Sequence, residues 1–147
     1  MGAVHVQGYA EEQGYSKRIS SDQVEEELNR LRDALASSRS QIEALKSKHG
    51  EALGSQELRI FDAHIGFITD PKFVDEIETM VMEERLAARS SIHKVVGSYD
   101  RIFQLVENEF LQQRAGDLRD VATRVLRNLQ DGSEDGAIER PQGRYVL

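Results

Sequence analysis

The 147-residue sequence contains no cysteine and only two prolines. Without cysteine, the chain can form no disulfide scaffold, no thiolate zinc site and no cysteine nucleophile, which fits a reducing compartment. The scarcity of proline favours long helices. No apolar run approaches the roughly 20 residues that a membrane-spanning helix needs, and residues 1–15 lack the layout of a signal peptide. We therefore expect no membrane association.

Positive charge is also scarce, since 26 acidic residues outnumber 19 basic ones and give a formal net charge of −7. This balance argues against a nucleic-acid partner, because the phosphate backbone attracts basic surfaces. Apolar residues make up 39% of the chain and charged residues 31%. That composition and length predict one charge-rich, folded domain.

The first predicted helix begins at Ser20, where Ser20 and Gln23 have the spacing of a capping box, and ends before Gly50. Apolar residues recur along it in steps of four and three, a heptad pattern that Ser38 interrupts. This pattern predicts packing within the chain, with an intermolecular coiled coil as the alternative. The seam comprises Val24, Leu28, Leu31, Leu35, Ser38, Ile42, Leu45 and His49.

The second helix is predicted over residues 55–69, followed directly by Asp70-Pro71. Proline suits a first helical turn but pushes the residue before it out of helical geometry. Asp70 should therefore cap a continuation that runs to about Glu84, and the two pieces should be kinked.

Helices three and four repeat the four-three rhythm over 92–106 and 111–129, with Asn108 as the cap between them. Asp131-Gly132 should end the helical region. The fold class is therefore all-α, a claw of four helices in two hairpins. Strand-like segments lie near both ends, at 3–7 and 137–147, and the expected domain limits are 1–18, 19–131 and 132–147.

The second helix carries two apolar stripes. The first stripe is sufficient to pack the helix against the rest of the chain and comprises Leu58, Phe61, Ile65 and Ile68. The second stripe comprises Ile60, His64 and Phe67, and its centre lies roughly 110° around the helix axis from the centre of the first. One core cannot easily cover both stripes, so we expect the second to face solvent and to mark an interaction site. The alternative is a broader core that buries Ile60 and Phe67 under helix three or four.

Residues 55–84 hold eight acidic and two basic side chains, nearly the whole net charge. An apolar patch in this field favours a partner whose own apolar patch is ringed by basic residues. A solvated acidic face without a partner is the alternative.

Catalytic motifs are absent: the sequence has no His-Glu-x-x-His, no Gly-x-x-x-x-Gly-Lys and no Gly-x-Ser-x-Gly pattern. We predict no self-contained active site and no metal site.

Several segments, in this order, carry a family resemblance: Ile19-Ser-Ser-Asp-Gln-Val24, Ile60-Phe-Asp-Ala-His-Ile65, Phe110-Leu-Gln-Gln-Arg-Ala-Gly-Asp-Leu-Arg-Asp120 and Arg124-Val-Leu-Arg-Asn128. Over residues 19–129 the chain resembles enzyme I of the bacterial sugar phosphotransferase system, the phosphoenolpyruvate–protein phosphotransferase. The resemblance implies that family's helical subdomain, whose role is to dock the phosphocarrier protein HPr. Residues 1–18 would then be a strand and loop remnant of the adjoining phosphohistidine subdomain, and residues 132–147 a linker and the start of another of its strands.

The resemblance also implies where the chemistry lies. In the family, which is cytoplasmic, the phosphoryl group passes from phosphoenolpyruvate to an enzyme I histidine and then to HPr. That histidine follows a Gly-Gly-x-x-Ser pattern that no histidine has here, so the chain by itself should be inactive. No cofactor is expected in this chain, because magnesium belongs to the family's C-terminal region. That region should also make the parent enzyme a homodimer, whereas this chain should be monomeric.

Carried over by motif, the HPr-facing positions combine apolar side chains with one histidine and one arginine. They are Ile60, His64, Phe67, Phe73, Phe103, Phe110, Leu111 and Arg114. Gly66 and Pro71-Lys72 depart from the family's pattern. We expect Phe67→Asp to abolish HPr binding while leaving the fold intact. The rival function is a coiled-coil self-association module, which the seam of the first helix favours and which light scattering would detect.

Overall fold

The structure, a computed structural model, describes residues 17–49 and 51–133. Within them, a 3₁₀ turn at Ser21–Gln23 is followed by five helices: α1 (Val24–His49), α2 (Ser55–Thr69), α3 (Pro71–Glu83), α4 (Ala88–Leu105) and α5 (Glu109–Ser133). The all-α prediction is confirmed, with α2 and α3 as the two pieces of the kinked helix. The predicted strand segments lie outside the described residues. No helix in the described ranges is long and apolar enough to cross a bilayer.

The predicted helix boundaries follow from local chemistry. The backbone N–H of Ser20 donates to Oε1 of Gln23 at 2.9 Å, as a capping box requires. Asp70 is extended, with φ −71° and ψ 116°, and its carboxylate accepts from the N–H of Lys72 at 3.2 Å. The side chain of Asn108 accepts from the N–H groups of Phe110 and Leu111. One boundary was wrong, because α5 continues past Asp131-Gly132 to Ser133.

The seam of α1 is buried inside this chain between its first and last turns. Leu31, Ser38 and Ile42 are fully buried, and α1 packs on α2, α3, α4 and α5. Ser38, the polar interruption, donates to the Ala34 carbonyl at 2.8 Å and accepts from Nδ2 of Asn128 on α5 at 2.8 Å. The intramolecular interpretation of the heptad pattern therefore fits, since the central seam residues are already covered.

A buried carboxylate joins three helices. Glu27 on α1 accepts from the guanidinium of Arg30 at 2.8 Å and from the N–H of Ala88, the first residue of α4, at 2.8 Å. Arg30 also donates to the Leu129 carbonyl on α5 at 3.3 Å. A carboxylate at a helix N-terminus satisfies an unpaired N–H and complements the helix dipole. Because α4 has no side-chain cap of its own, Glu27 supplies that role from another helix.

Candidate docking surface

Exposed apolar side chains concentrate where α4 meets α5. Of the five large apolar residues exposed in the described ranges, four lie here, and we call this set the apolar corner: Ile102, Leu105, Val106 and Phe110. Leu105 is 83% exposed and Phe110 62%. The α4 helix ends at Leu105 and α5 begins at Glu109, capped by Asn108. The cap thus fixes a tight helix corner whose apolar groups meet solvent, as interaction sites do.

A row of aromatic rings connects the α2–α3 kink to this corner. Phe67 and Phe73 meet edge to face with centroids 6.0 Å apart, and Phe73 meets Tyr99 in the same way at 5.4 Å. Tyr99 then contacts Phe103 at 6.3 Å. Phe67 and Phe73 are buried, whereas Tyr99 and Phe103 are partly buried. The row therefore packs inside the domain, and the rings of Phe67 and Phe73 are not available to a partner.

Arg114 stacks on the first ring of this row. Its guanidinium lies 4.4 Å from the centroid of the Phe67 ring, a cation–π geometry. Arg114 is half-buried, and no carboxylate of the described residues forms a salt bridge with it. The charge is thus positioned by an aromatic face and remains able to pair with an acidic or carbonyl group from outside.

His64 lies between α2 and α5 and is only 9% exposed, with its Nε2 atom buried and without a hydrogen-bond partner. Burial lowers the pKa of His64, against the opposing field of the carboxylates of Asp117 and Asp120. The imidazole is therefore held neutral. Oδ2 of Asp117 on α5 is likewise buried without a hydrogen-bond partner among the described residues.

The expectation that the second stripe of α2 faces solvent was wrong for two of its three residues. Phe67 is only 4% exposed and His64 is buried, while Ile60 is half-buried. The physical reason is α5, which packs along α2 and covers the second stripe while α1 packs on α2 as well. For Phe67, the alternative of a broader core that buries it under another helix is therefore correct.

The predicted site residues therefore divide by exposure. Phe110 is exposed, Phe73 is buried like His64 and Phe67, and the remaining four are half-buried: Ile60, Phe103, Leu111 and Arg114. The four-three rhythm over 92–106 includes Ile102 and Val106 and passes over Leu105, yet all three are exposed. The signal was available, since four apolar residues between 102 and 106, directly before a helix end, are more than one buried face accommodates.

The acidic field of residues 55–84 is partly neutralised. Asp62 pairs with Lys46 of α1 at 2.6 Å, and Glu78 pairs with Arg32 of α1 at 3.0 Å. Within the segment, Glu76 pairs with Lys72 at 2.7 Å. A partner would consequently meet a weaker negative field than the residue count indicates.

Comparison with known proteins identifies the family. The model of the PEP-utilising enzyme N-terminal family matches residues 1–114. The chain belongs to this family. Among curated relatives, it is 34% identical over 113 residues to the phosphoenolpyruvate-protein phosphotransferase of Enterococcus faecalis, covering 76% of this chain and 20% of the relative. It is 35% identical over 116 residues to the enzyme of the same name from Latilactobacillus sakei, covering 78% and 20%.

A solved structure has the same fold. The NMR solution structure of an enzyme I protein (nEIt) superposes with a TM-score of 0.73 at 32% identity, covering 78% of this chain and 46% of that one. The resemblance to enzyme I is therefore confirmed. The chain spans about a fifth of the length of the curated phosphotransferases that it matches, so it corresponds to part of the N-terminal region of the PEP-utilising family.

Proposed function

We propose that this chain is the docking domain of a phosphoenolpyruvate-protein phosphotransferase, enzyme I, and that it binds the phosphocarrier protein HPr in the cytoplasm during sugar uptake. The single observation that carries the proposal is the apolar corner. The corner includes Phe110; Phe103 and Leu111 are next to its members in the sequence, and Arg114 lies one helical turn after Phe110 on α5. These four are predicted HPr-facing positions, and exposed apolar side chains with an arginine one turn away suit a protein partner.

The contribution of such a domain is positional. Docking HPr would hold its reactive histidine near the enzyme I histidine, which turns a bimolecular transfer into an effectively intramolecular one. None of His49, His64 and His93 follows the Gly-Gly-x-x-Ser pattern of the family's acceptor, and His64 and His93 are also buried. Phosphoryl chemistry and magnesium binding are accordingly proposed for parts of the parent enzyme outside this chain, and homodimer formation likewise.

The revised contact surface differs from the sequence-based one. With His64, Phe67 and Phe73 buried, the predicted positions left for direct contact are Phe110, Leu111, Arg114, Phe103 and Ile60, together with the other residues of the apolar corner. The buried three act by holding those groups in place, Phe67 through its stacking with Arg114. Apolar burial at Phe110 would supply most of the affinity, because a large exposed aromatic ring is the kind of group that dominates protein interfaces.

The test is a titration of the chain with HPr of the same organism by isothermal calorimetry, using Phe110→Asp. Met82→Asp is the matched control, because Met82 is also an exposed apolar residue, at 44%, on α3 outside the corner. We expect Phe110→Asp to weaken binding more than ten-fold and Met82→Asp to leave it within about two-fold. Equal affinity of Phe110→Asp and the unaltered chain would overturn the placement, and absence of binding by the unaltered chain would overturn the function.

A further inference from the structure

A groove of about 930 Å³ runs between α3 and α4. Small-molecule sites in proteins usually enclose roughly 300–1,000 Å³, so its volume is that of a ligand site. Its floor is apolar: Val95 is buried and Met80 and Tyr99 are partly buried, with Ile102 at one end. Residues 94 to 103 of α4 line one wall, which at about 1.5 Å per residue gives a length of about 14 Å.

The acidic groups that line the groove already have partners. Glu76 pairs with Lys72 at 2.7 Å, and this hydrogen bond lowers the pKa of Glu76. Asp70 caps the N–H of Lys72. Burial, together with a hydrogen bond to Glu76, raises the pKa of Tyr99, so its phenol stays protonated. The charged groups that line the groove are two acidic and three basic side chains and sum to +1, although the protein as a whole carries −7.

Two basic side chains on α4, in the wall of the groove, are not paired with a carboxylate of the described residues. Lys94 and Arg101 are exposed and line the groove, and neither forms a salt bridge within the described residues. Seven residues separate them, two helical turns, so they share one face of α4 about 10 Å apart. Excess positive charge over an apolar floor, in an acidic protein, is complementary to an anion with an apolar body.

We propose that the α3–α4 groove binds a small amphipathic anion. Its apolar body would lie over Met80 and Val95, and its anionic group would pair with Arg101 and Lys94. The length of the groove favours a small molecule over a peptide helix, because a partner helix of 12–15 residues would extend about 18–22 Å. The site does not rest on the proposed function, since its lining shares only Ile102 with the apolar corner and only Phe103 with the predicted HPr-facing residues.

The probe is 1-anilinonaphthalene-8-sulfonate, with uncharged N-phenyl-1-naphthylamine as the comparison ligand. Fluorescence titration of the whole chain should show saturable binding of the sulfonate, with weaker binding of the uncharged dye. Amide shifts in a ¹⁵N spectrum should cluster at Thr79, Met80 and residues 94–101, whereas Ile102 belongs to both surfaces and does not discriminate between them. We expect Arg101→Glu to weaken sulfonate binding about ten-fold, because it removes one favourable charge interaction and adds an unfavourable one.

Two control variants keep the test decisive. Arg127→Glu makes the same charge change at an exposed site of α5 outside the groove, and it should leave sulfonate affinity unchanged. Phe110→Asp should also leave it unchanged, which separates the groove from the apolar corner and from HPr docking. The proposal is overturned if Arg101→Glu binds the sulfonate as tightly as Arg127→Glu does, or if the amide shifts cluster at the corner instead.

Discussion

Replacement of Phe67 by alanine tests whether this residue is structural. The ring is 4% exposed, meets Phe73 at 6.0 Å and lies under the Arg114 guanidinium at 4.4 Å. Removing a fully buried phenylalanine costs about 3–5 kcal/mol. The total stability of a domain is about 5–15 kcal/mol, so Phe67→Ala would remove a large fraction of it. The same burial removes the basis for expecting that Phe67→Asp leaves the fold intact, since a buried carboxylate costs more still.

Urea unfolding followed by circular dichroism measures this effect. With a slope of about 2 kcal/mol per molar urea, a loss of about 4 kcal/mol lowers the midpoint by about 2 M. Phe110→Ala is the control: the ring is 62% exposed, so the midpoint should move by less than about 0.3 M, corresponding to about 0.5 kcal/mol. If Phe67→Ala shifted the midpoint no more than Phe110→Ala, the assignment of Phe67 to the core would be refuted.

Three further predictions concern groups that hold the helices together. In the same urea assay, Glu27→Gln should lower the free energy of unfolding by about 1.5–3 kcal/mol, because it weakens charge-assisted hydrogen bonds to Arg30 and Ala88. The control is Glu43→Gln, which alters an exposed pair with Arg39 and should change the free energy of unfolding by less than about 0.5 kcal/mol. Asn108→Ala should cost about 1 kcal/mol by removing the α5 cap, whereas Asn108→Asp, which keeps an acceptor, should cost little. Burial lowers the pKa of His64 in the folded state, so near the ordinary histidine pKa of about 6.5 the unfolded chain binds more protons than the folded chain. The free energy of unfolding should therefore fall as pH decreases from 7.5 to 5.5. The same pH change should lower the free energy of unfolding of His64→Leu less steeply.

Local patterns in the sequence suffice for the helices. The capping box at Ser20, the extended Asp70 before Pro71 and the cap at Asn108 each involve atoms within three residues of one another, so the chemistry of neighbouring side chains fixes them. The buried seam of α1 follows from its four-three spacing, since that spacing places the apolar groups on one face. These features hold whatever the helices pack against.

Local sequence patterns do not predict contacts between residues that are far apart in the chain. Glu27 looks like any first-turn acid, yet it is buried because the start of α4, 61 residues away, places an unpaired N–H beside it. The position of Lys46 and Arg32 next to acids of α2 and α3 likewise depends on how the hairpins meet. Such pairs reduced the acidic field that the sequence alone attributes to residues 55–84.

The sequence by itself determined the kind of protein this is: an acidic, mainly helical chain that resembles enzyme I, with a kink at Asp70-Pro71. Only the tertiary structure decided which apolar groups reach solvent. Periodicity gives the angle between two stripes of a helix, but it cannot say how many neighbours cover them. Since both α1 and α5 pack on α2, Phe67 is buried, and the exposed apolar surface lies at the α4–α5 corner instead.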